Sequence, residues 1–369
     1  MKSTRSIVSL LLLFAALFCI STVTAFSQKK AGTKKKPAAK KTVVTNKIDA
    51  ITVFKSVRGG GVNRANVAVN KLRIAMDYDN DGKADFTVFH PATNTWNIAK
   101  SAGGTISTPF GVASSDYFVP GDYDGDGIGD IANWRDAEHK WYILYSSTGV
   151  LHTIDFGASG DEPVARDYDN DGMTDLAVAR RVNGIISWII RKSSANPVDT
   201  ANVTESTDWG ISIDTPTPGD YDGDGKFDLS VRRPGATDTS LATFITKRSS
   251  DGMQENVSWG IGSDLVISGY FDADNKMDYA VLREGKLQTD PLVWMIRRSS
   301  DSTAVVMNYG TTGTSYNVQN DYDGDNITDI AVWDNATATF SVFRSTTSTT
   351  ATFAWGAAND YPVASYDTR

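Results

Sequence analysis

A nine-residue acidic pattern, Asp220-Tyr221-Asp222-Gly223-Asp224-Gly225-Lys226-Phe227-Asp228, recurs down this chain and constrains it more than any other feature. Acids occupy positions 1, 3, 5 and 9 of each complete copy. These are Asp77, Asp79, Asp81 and Asp85; Asp122, Asp124, Asp126 and Asp130; Asp167, Asp169, Asp171 and Asp175; Asp220, Asp222, Asp224 and Asp228; and Asp321, Asp323, Asp325 and Asp329. A worn copy from Tyr270 keeps Asp272, Asp274 and Asp278 and lacks the first acid. Such carboxylates can converge on one hard cation only if the backbone folds sharply after position 5, which asks for a residue that tolerates positive φ at position 6. That position holds Gly82, Gly127, Gly172, Gly225, Asn275 and Asn326. All-oxygen donors in a flexible loop select Ca²⁺ over Mg²⁺, and loops without His or Cys are poor hosts for zinc or copper. Five to six Ca²⁺ sites are therefore expected.

The loop resembles the first half of an EF-hand, but the second half is missing. An EF-hand closes with Glu at position 12 between flanking helices. Here position 12 holds Val88, Asn133, Val178, Val231, Val281 and Val332. The residues after each loop are apolar, β-branched or aromatic, as in Phe86-Thr87-Val88-Phe89 and Ile330-Ala331-Val332-Trp333, and predict strands.

The copies begin at residues 77, 122, 167, 220, 270 and 321, at intervals of 45, 45, 53, 50 and 51. A period of this length with strand patterns throughout marks a propeller or solenoid of four-stranded units. Each unit carries the strand after the loop, then one centred on an aromatic (Trp96, Trp141, Trp188, Phe244, Trp294, Phe340). A third strand ends in aromatic-Gly, from Phe110-Gly111 to Trp355-Gly356, and a last one runs into the next loop. The aromatics are expected in the core between neighbouring sheets. The fold expected is an all-β propeller over residues 46–369. Pro362 to Asp367 reads as a strand entering a missing loop, and Ile51-Thr52-Val53-Phe54-Lys55 matches Phe86-Thr87-Val88-Phe89-His90. The expectation is therefore seven blades, the last shared between the termini, with six as the alternative.

Residues 1–25 predict a secretory signal, with Lys2 and Arg5 before an apolar run and Val23-Thr24-Ala25 as a small-residue cleavage site. The run is too short to count as a membrane span. The single Cys19 lies inside it, so a secreted chain would carry no thiol. Without disulfides, calcium is the available cross-link, and at millimolar concentration each site would contribute about 2 kcal/mol. Residues 26–45 form a linker containing seven lysines, read either as a solvated spacer or as a tether to anionic envelope polymers. From Thr42 onward the chain has 27 basic and 44 acidic residues, a net of −17. That balance excludes nucleic acid as a partner and repels anionic membranes. A monomer in the envelope or outside the cell is expected.

Asp-Tyr-Asp-Gly-Asp-Gly loops, each followed by a short strand, then Trp-Tyr-Ile and Trp-Gly, resemble the FG-GAP or VCBS repeats of secreted bacterial proteins. They are similar to the calcium-bearing blades of integrin α-subunit heads and of some propeller lectins. The resemblance implies loops that join the innermost strand of each blade to the second, all on one face. It implies adhesion and lectin modules, or accessory parts of lyases and lipases, and so narrows activity little.

His90, His139 and His152 show no metal-ligand spacing, and no nucleophile elbow or phosphate loop is present. Five residues past each last acid stand His90, Arg135, Arg180, Arg233, Arg283 and Asp334, with Lys55 matching by pattern. Five strand residues travel about 16 Å, which puts these groups on the face opposite the loops. Three readings follow: each cation stacks on the next strand's aromatic, as Arg135 on Trp141; each pairs with a local carboxylate; or together they form a cationic mouth for an acidic glycan or protein. The reading preferred for the whole is a non-catalytic binding or adhesion module, with a polysaccharide lyase or hydrolase, or a purely structural envelope protein, as rivals.

Overall fold

The structure, a computed structural model, describes Leu72, residues 74–195 and residues 204–364. These residues form six four-stranded antiparallel sheets. Blade 2 sets the pattern with Asp116–Phe118, Ile131–Arg135, Lys140–Leu144 and Leu151–Asp155 side by side in chain order. Blades 3 to 6 begin with Glu162–Pro163, Thr215–Pro216, Leu265–Ile267 and Ser315–Asn317. Their second strands are Leu176–Val182, Leu229–Arg233, Tyr279–Arg283 and Ile330–Asp334. The third strands are Ile185–Arg191, Leu241–Lys247, Pro291–Arg297 and Thr339–Phe343. The fourth strands are Thr204–Ile211, Gln254–Ile261, Ala304–Thr311 and Thr350–Ala354.

Burial falls off across each sheet, and the side-chain pattern follows it. Second strands are buried through most of their length because both faces are covered, and four of the five residues of Ile131–Arg135 are buried. Third strands alternate, burying Trp141 and Ile143 and turning Lys140, Tyr142 and Leu144 outward. Fourth strands such as Thr105–Pro109 are polar and largely exposed, as an unpaired edge requires. The expected aromatics are fully buried: Trp96, Trp141, Trp188 and Trp294 all lie in the core. Each core lies between neighbouring blades. Trp134 and Trp141 of blade 2 pack with Leu176 and Val178 of blade 3, and Trp333 and Phe340 of blade 6 pack with Val88 of blade 1.

Six blades are present, and the expectation of seven is corrected by the pairing of the C-terminal strand. Blade 1 consists of Phe86–His90, Thr95–Ala99 and Thr105–Pro109, and its first strand is Tyr361–Pro362, with Val88 opposite Pro362 and Phe89 opposite Tyr361. The chain leading into the first loop leaves that place open, because Ile74–Met76 is a turn of 3₁₀ helix. The C-terminal strand thus completes the first blade and founds no seventh. The segment Ile51 to Lys55 proposed for that seventh blade, like the signal and the lysine-rich linker, lies outside the described residues.

The acidic loops themselves complete the ring. The position-8 N–H of each loop donates to the position-1 carbonyl of the loop before it. Gly129 bonds to Asp77 at 2.9 Å, Thr174 to Asp122 at 2.7 Å, Phe227 to Asp167 at 3.2 Å, Met277 to Asp220 at 2.7 Å and Thr328 to Tyr270 at 2.7 Å. The sixth bond runs from Ala84 of the first loop to Asp321 of the last, at 2.7 Å, and returns the series to its start.

Closure rests on a strand from the far end of the chain, so trimming that end should open the ring. Deleting residues 360–369 removes Asp360, the two paired residues and buried Val363. The melting temperature should fall by about 5 °C or more, given about 2–3 kcal/mol of lost burial. Amide exchange at Val88 and Phe89 should accelerate; unchanged protection there would show that the strand is dispensable.

Candidate metal centre

In blades 2 to 6 each loop joins the first strand to the second, and in blade 1 it runs from the 3₁₀ turn Ile74–Met76 into the second strand. The sixth residue has positive φ in all six copies: Gly82 at 89°, Gly127 at 86°, Gly172 at 97°, Gly225 at 95°, Asn275 at 66° and Asn326 at 71°. Position 4 turns the same way in the complete copies, through Asn80, Gly125, Asn170, Gly223 and Gly324. Successive left-handed residues point backbone N–H groups inward at the first carboxylate. In blade 2, Gly125 and Gly127 donate to Asp122 at 2.6 and 2.8 Å; in blade 6, Gly324 and Asn326 donate to Asp321 at 2.6 and 2.9 Å.

The ninth acid, buried in every copy, binds the loop to the sheet. It accepts from the position-2 N–H, as Asp130 does from Tyr123 at 2.8 Å, and from a serine N–H beyond the third strand, here Ser146 at 2.6 Å. The same serine recurs as Ser101, Ser193, Ser249, Ser299 and Ser345, at 2.7 Å from Asp85, Asp175, Asp228, Asp278 and Asp329. Its hydroxyl reaches back to the fifth acid, as from Ser146 to Asp126 at 2.9 Å and from Ser345 to Asp325 at 2.7 Å. The residue after it holds the third acid, as Ser147 and Ser250 hold Asp124 and Asp222 at 2.5 and 2.6 Å. Sequence reasoning missed this clamp. Its signal was a Ser-Ser or Ser-Thr pair just past the third strand in five blades, with Ser101-Ala102 in blade 1.

Carboxylate oxygens converge in five loops, within 4.8 Å of one another: Asp77, Asp79 and Asp85; Asp122, Asp124 and Asp130; Asp167, Asp169 and Asp175; Asp220, Asp222 and Asp224; and Asp321, Asp323 and Asp325. Crowding these charges in a buried place is costly. Burial first, then the neighbouring carboxylates, raises Asp130 and Asp175 to about 8 and Asp85, Asp228 and Asp329 to about 7, against the pull of backbone N–H donors. Oδ1 of Asp79 and Oδ1 of Asp323 are buried without a hydrogen-bond partner. Such orphaned acceptors beside other anionic oxygens fit a hard divalent cation.

The FG-GAP-like repeat family matches residues 167–231, which span two of these loops and the strands between them. The chain is a six-bladed β-propeller with an FG-GAP-like repeat at residues 167–231. Among solved structures, the crystal structure of Citrobacter koseri AztD is similar, at 13% identity over 77% of this chain and 88% of that one, with a TM-score of 0.31. No curated protein matches the chain. Among the described residues no helix is long and apolar enough to cross a membrane.

The worn loop of this propeller behaves differently. Tyr270 still accepts the ring bond from Thr328, which is a backbone contact, but supplies no carboxylate. Asp272, Asp274 and Asp278 form none of the converging sets found among the described residues. Burial raises the Asp274 carboxyl, and a hydrogen bond shared with Asp272 adds to the shift.

The cations beyond the second strands each face an acid. Arg135 meets buried Asp116 at 2.6 Å, Arg180 meets Asp161 at 2.8 Å, Arg233 meets Asp214 at 2.9 Å and Arg283 meets Asp264 at 2.7 Å. These aspartates also accept the N–H two residues past the aromatic of aromatic-Gly, as Asp161 does from Ala158 at 2.7 Å. Arg135 lies over Tyr142, at 4.8 Å, and not over Trp141, which faces the core. Blade 6 holds Ser315 and Asp334 where the others hold Asp and a base, and Thr314 donates to that Asp334. In blade 1 the pair is His90 with Asp360, 2.5 Å apart, joining the first blade to the closing strand. Lys55 lies outside the described residues.

Two outcomes follow. The raised carboxyls take protons more readily folded than unfolded, so without cation their contribution is full below their ordinary pKa near 4 and is lost as pH rises through 7 to 8. In chelator the melting temperature should fall from about pH 6 to about pH 8, and millimolar calcium at the upper pH should restore it. A chelated melting curve indifferent to pH would contradict this. Separately, His90→Arg should install the pair used in blades 2 to 5 and raise stability by about 1 kcal/mol, read in a denaturant melt.

Proposed function

We propose that this FG-GAP propeller is a secreted, calcium-stabilised module that binds an extracellular glycan or protein without cleaving it. The observation that carries the reading is the set of five carboxylate clusters, each with its first acid buried and two with an orphaned Oδ1, at the places where neighbouring blades are joined. Ca²⁺ suits this all-oxygen donor set, and the outside of a cell supplies it at the concentration such loops need. Its part is neutralisation and cross-linking: the first, third and ninth acids, such as Asp122, Asp124 and Asp130, would hold it in blades 1 to 3, and the first, third and fifth, such as Asp220, Asp222 and Asp224, in blades 4 and 6. The apolar leader ending at Val23-Thr24-Ala25 supports secretion. The lysine-rich linker is compatible with a tether to anionic envelope polymers.

Calorimetric titration should find about five calcium ions per chain, and Asp124→Asn should remove one. A glycan array run beside a product assay on uronic-acid polymers then tests the role. Retention without product is expected. Product formation would make the protein an enzyme, and silence in both arms would leave a structural role in the envelope.

A further inference from the structure

Between the fourth strand of blade 4 and the second and third strands of blade 5 lies a cleft of about 500 Å³ on the side of the acidic loops. The matching place between blades 2 and 3 is nearly closed, with about 20 Å³ left. The repeat itself shows what opened it. Tyr145 and Arg248 both stand just before the clamp serine, His152 and Glu255 share one register position, and Ile154 and Val257 share another. In blade 2 the Tyr145 ring stacks on His152 at 3.9 Å and fills the space. In blade 4 Arg248 turns to Asp251, at 2.5 Å, and the smaller Val257 leaves the space open.

The charge lining the two clefts differs as well. Arg298 corresponds to Lys192, which pairs with Glu205 on the fourth strand at 2.7 Å. The residue in the place of Glu205 in blade 5 is Val305. Arg298 has exposed Asp301 of the following turn as a counter-charge, and its Nε is buried without a hydrogen-bond partner. Arg297 bonds to Ser302 at 3.2 Å, and among the described residues Lys276, Arg297 and Arg298 form no salt bridge. Lys276 lies across Gly223 of the neighbouring loop, where any Cβ would come within 3.1 Å of its Cγ. Tyr279 and Trp259 are ring-bearing walls of the same space, while Asn256 and Ser258 border it from the edge strand with side chains bonded to Gln254 and Thr243. Trp259 is held in place by its bond to the Met295 carbonyl across the two blades, at 3.1 Å. Glu255 and Asp222 are the carboxylates of the lining.

We propose that this cleft binds a sugar unit that carries a carboxylate, as in a uronic-acid oligosaccharide. Arg297, Arg298 and Lys276 receive the anion, and Glu255 accepts from the hydroxyls. The volume is that of a small-ligand site. Guanidinium groups match a planar carboxylate with paired bonds. A carboxylate acceptor, Glu255, between the rings of Tyr279 and Trp259 suits a polyhydroxylated ring better than an acidic peptide, which it would repel. The assignment rests on the binding-module reading and gives it a place and a ligand class.

The calcium-loaded protein should be titrated with a galacturonate trimer, a neutral galactose trimer and a hexaglutamate peptide. The acidic trimer is expected to bind one to one, at least about tenfold more tightly than either of the others. Arg297→Gln with Arg298→Gln should weaken it by about tenfold or more, with the melting temperature unchanged. A second variant, R248Y with E255H and V257I, rebuilds the filled cleft of blade 2 and should abolish binding. Equal affinity for the neutral trimer, preference for the peptide, or no binding overturns the assignment. Binding that survives both variants also overturns it while leaving the module reading intact, whereas shortened products would overturn the module reading instead.

Discussion

Everything in this propeller depends on six backbone hydrogen bonds that pass from one acidic loop to the next and return to the first. Each runs from the eighth residue of one loop to the first of the preceding one, so it fixes the loops against each other whatever side chains they carry. Tyr270 demonstrates the independence, since it has lost its carboxylate and kept the bond. Because the bonds leave from rigid turns held by positive-φ residues, the spacing between blades is set at the loops and carried outward by the sheets. Apolar packing then fills the wedges between the sheets, where six tryptophans are buried completely.

The same geometry concentrates charge. Bringing the loops into one annulus buries the first and ninth acids of every complete copy, and their neighbours stand within a few ångströms. Backbone donors and the serine clamp satisfy part of this demand, and the raised carboxyls show what they leave. The opposite rim is built on a contrary principle. There each buried aspartate meets an arginine or histidine of the adjacent strand, so charge is balanced within the chain. One face thus carries an excess that asks for cations from outside, and the other is complete in itself.

How much of this could be read from the residues follows from how local each cause is. The loops, their left-handed sixth residues and the strands after them were legible because each is dictated within nine to twelve residues. The blade number was not, since Ile51 to Lys55 resembles a second strand as closely as Phe86 to His90 does. Only the long-range pairing of Tyr361 with Phe89 settles where the last strand goes. The basic residues were placed at the right rim, but their partners, such as Asp161 for Arg180, lie 19 residues earlier among short polar turns. Those aspartates and the clamp serines keep fixed offsets from the aromatic-Gly and third-strand signals. They were overlooked because Asp and Ser in turns ordinarily need no further explanation.

Ring closure through backbone and loops also determines where the repeats are free to diverge. The ninth position, which ties each loop to its own sheet, is Asp in all six copies, whereas the eighth acts through its backbone and varies from Gly129 to Phe227. The third and fourth strands carry no ring bond, and there the copies differ most: Tyr145 against Arg248, Ile154 against Val257, Glu205 against Val305. An open cleft can arise at such positions by loss of bulk alone, without a new loop and without loosening the annulus. The space between blades 4 and 5 has that origin, and its unpaired cations stand on the part of the scaffold that closure leaves unconstrained.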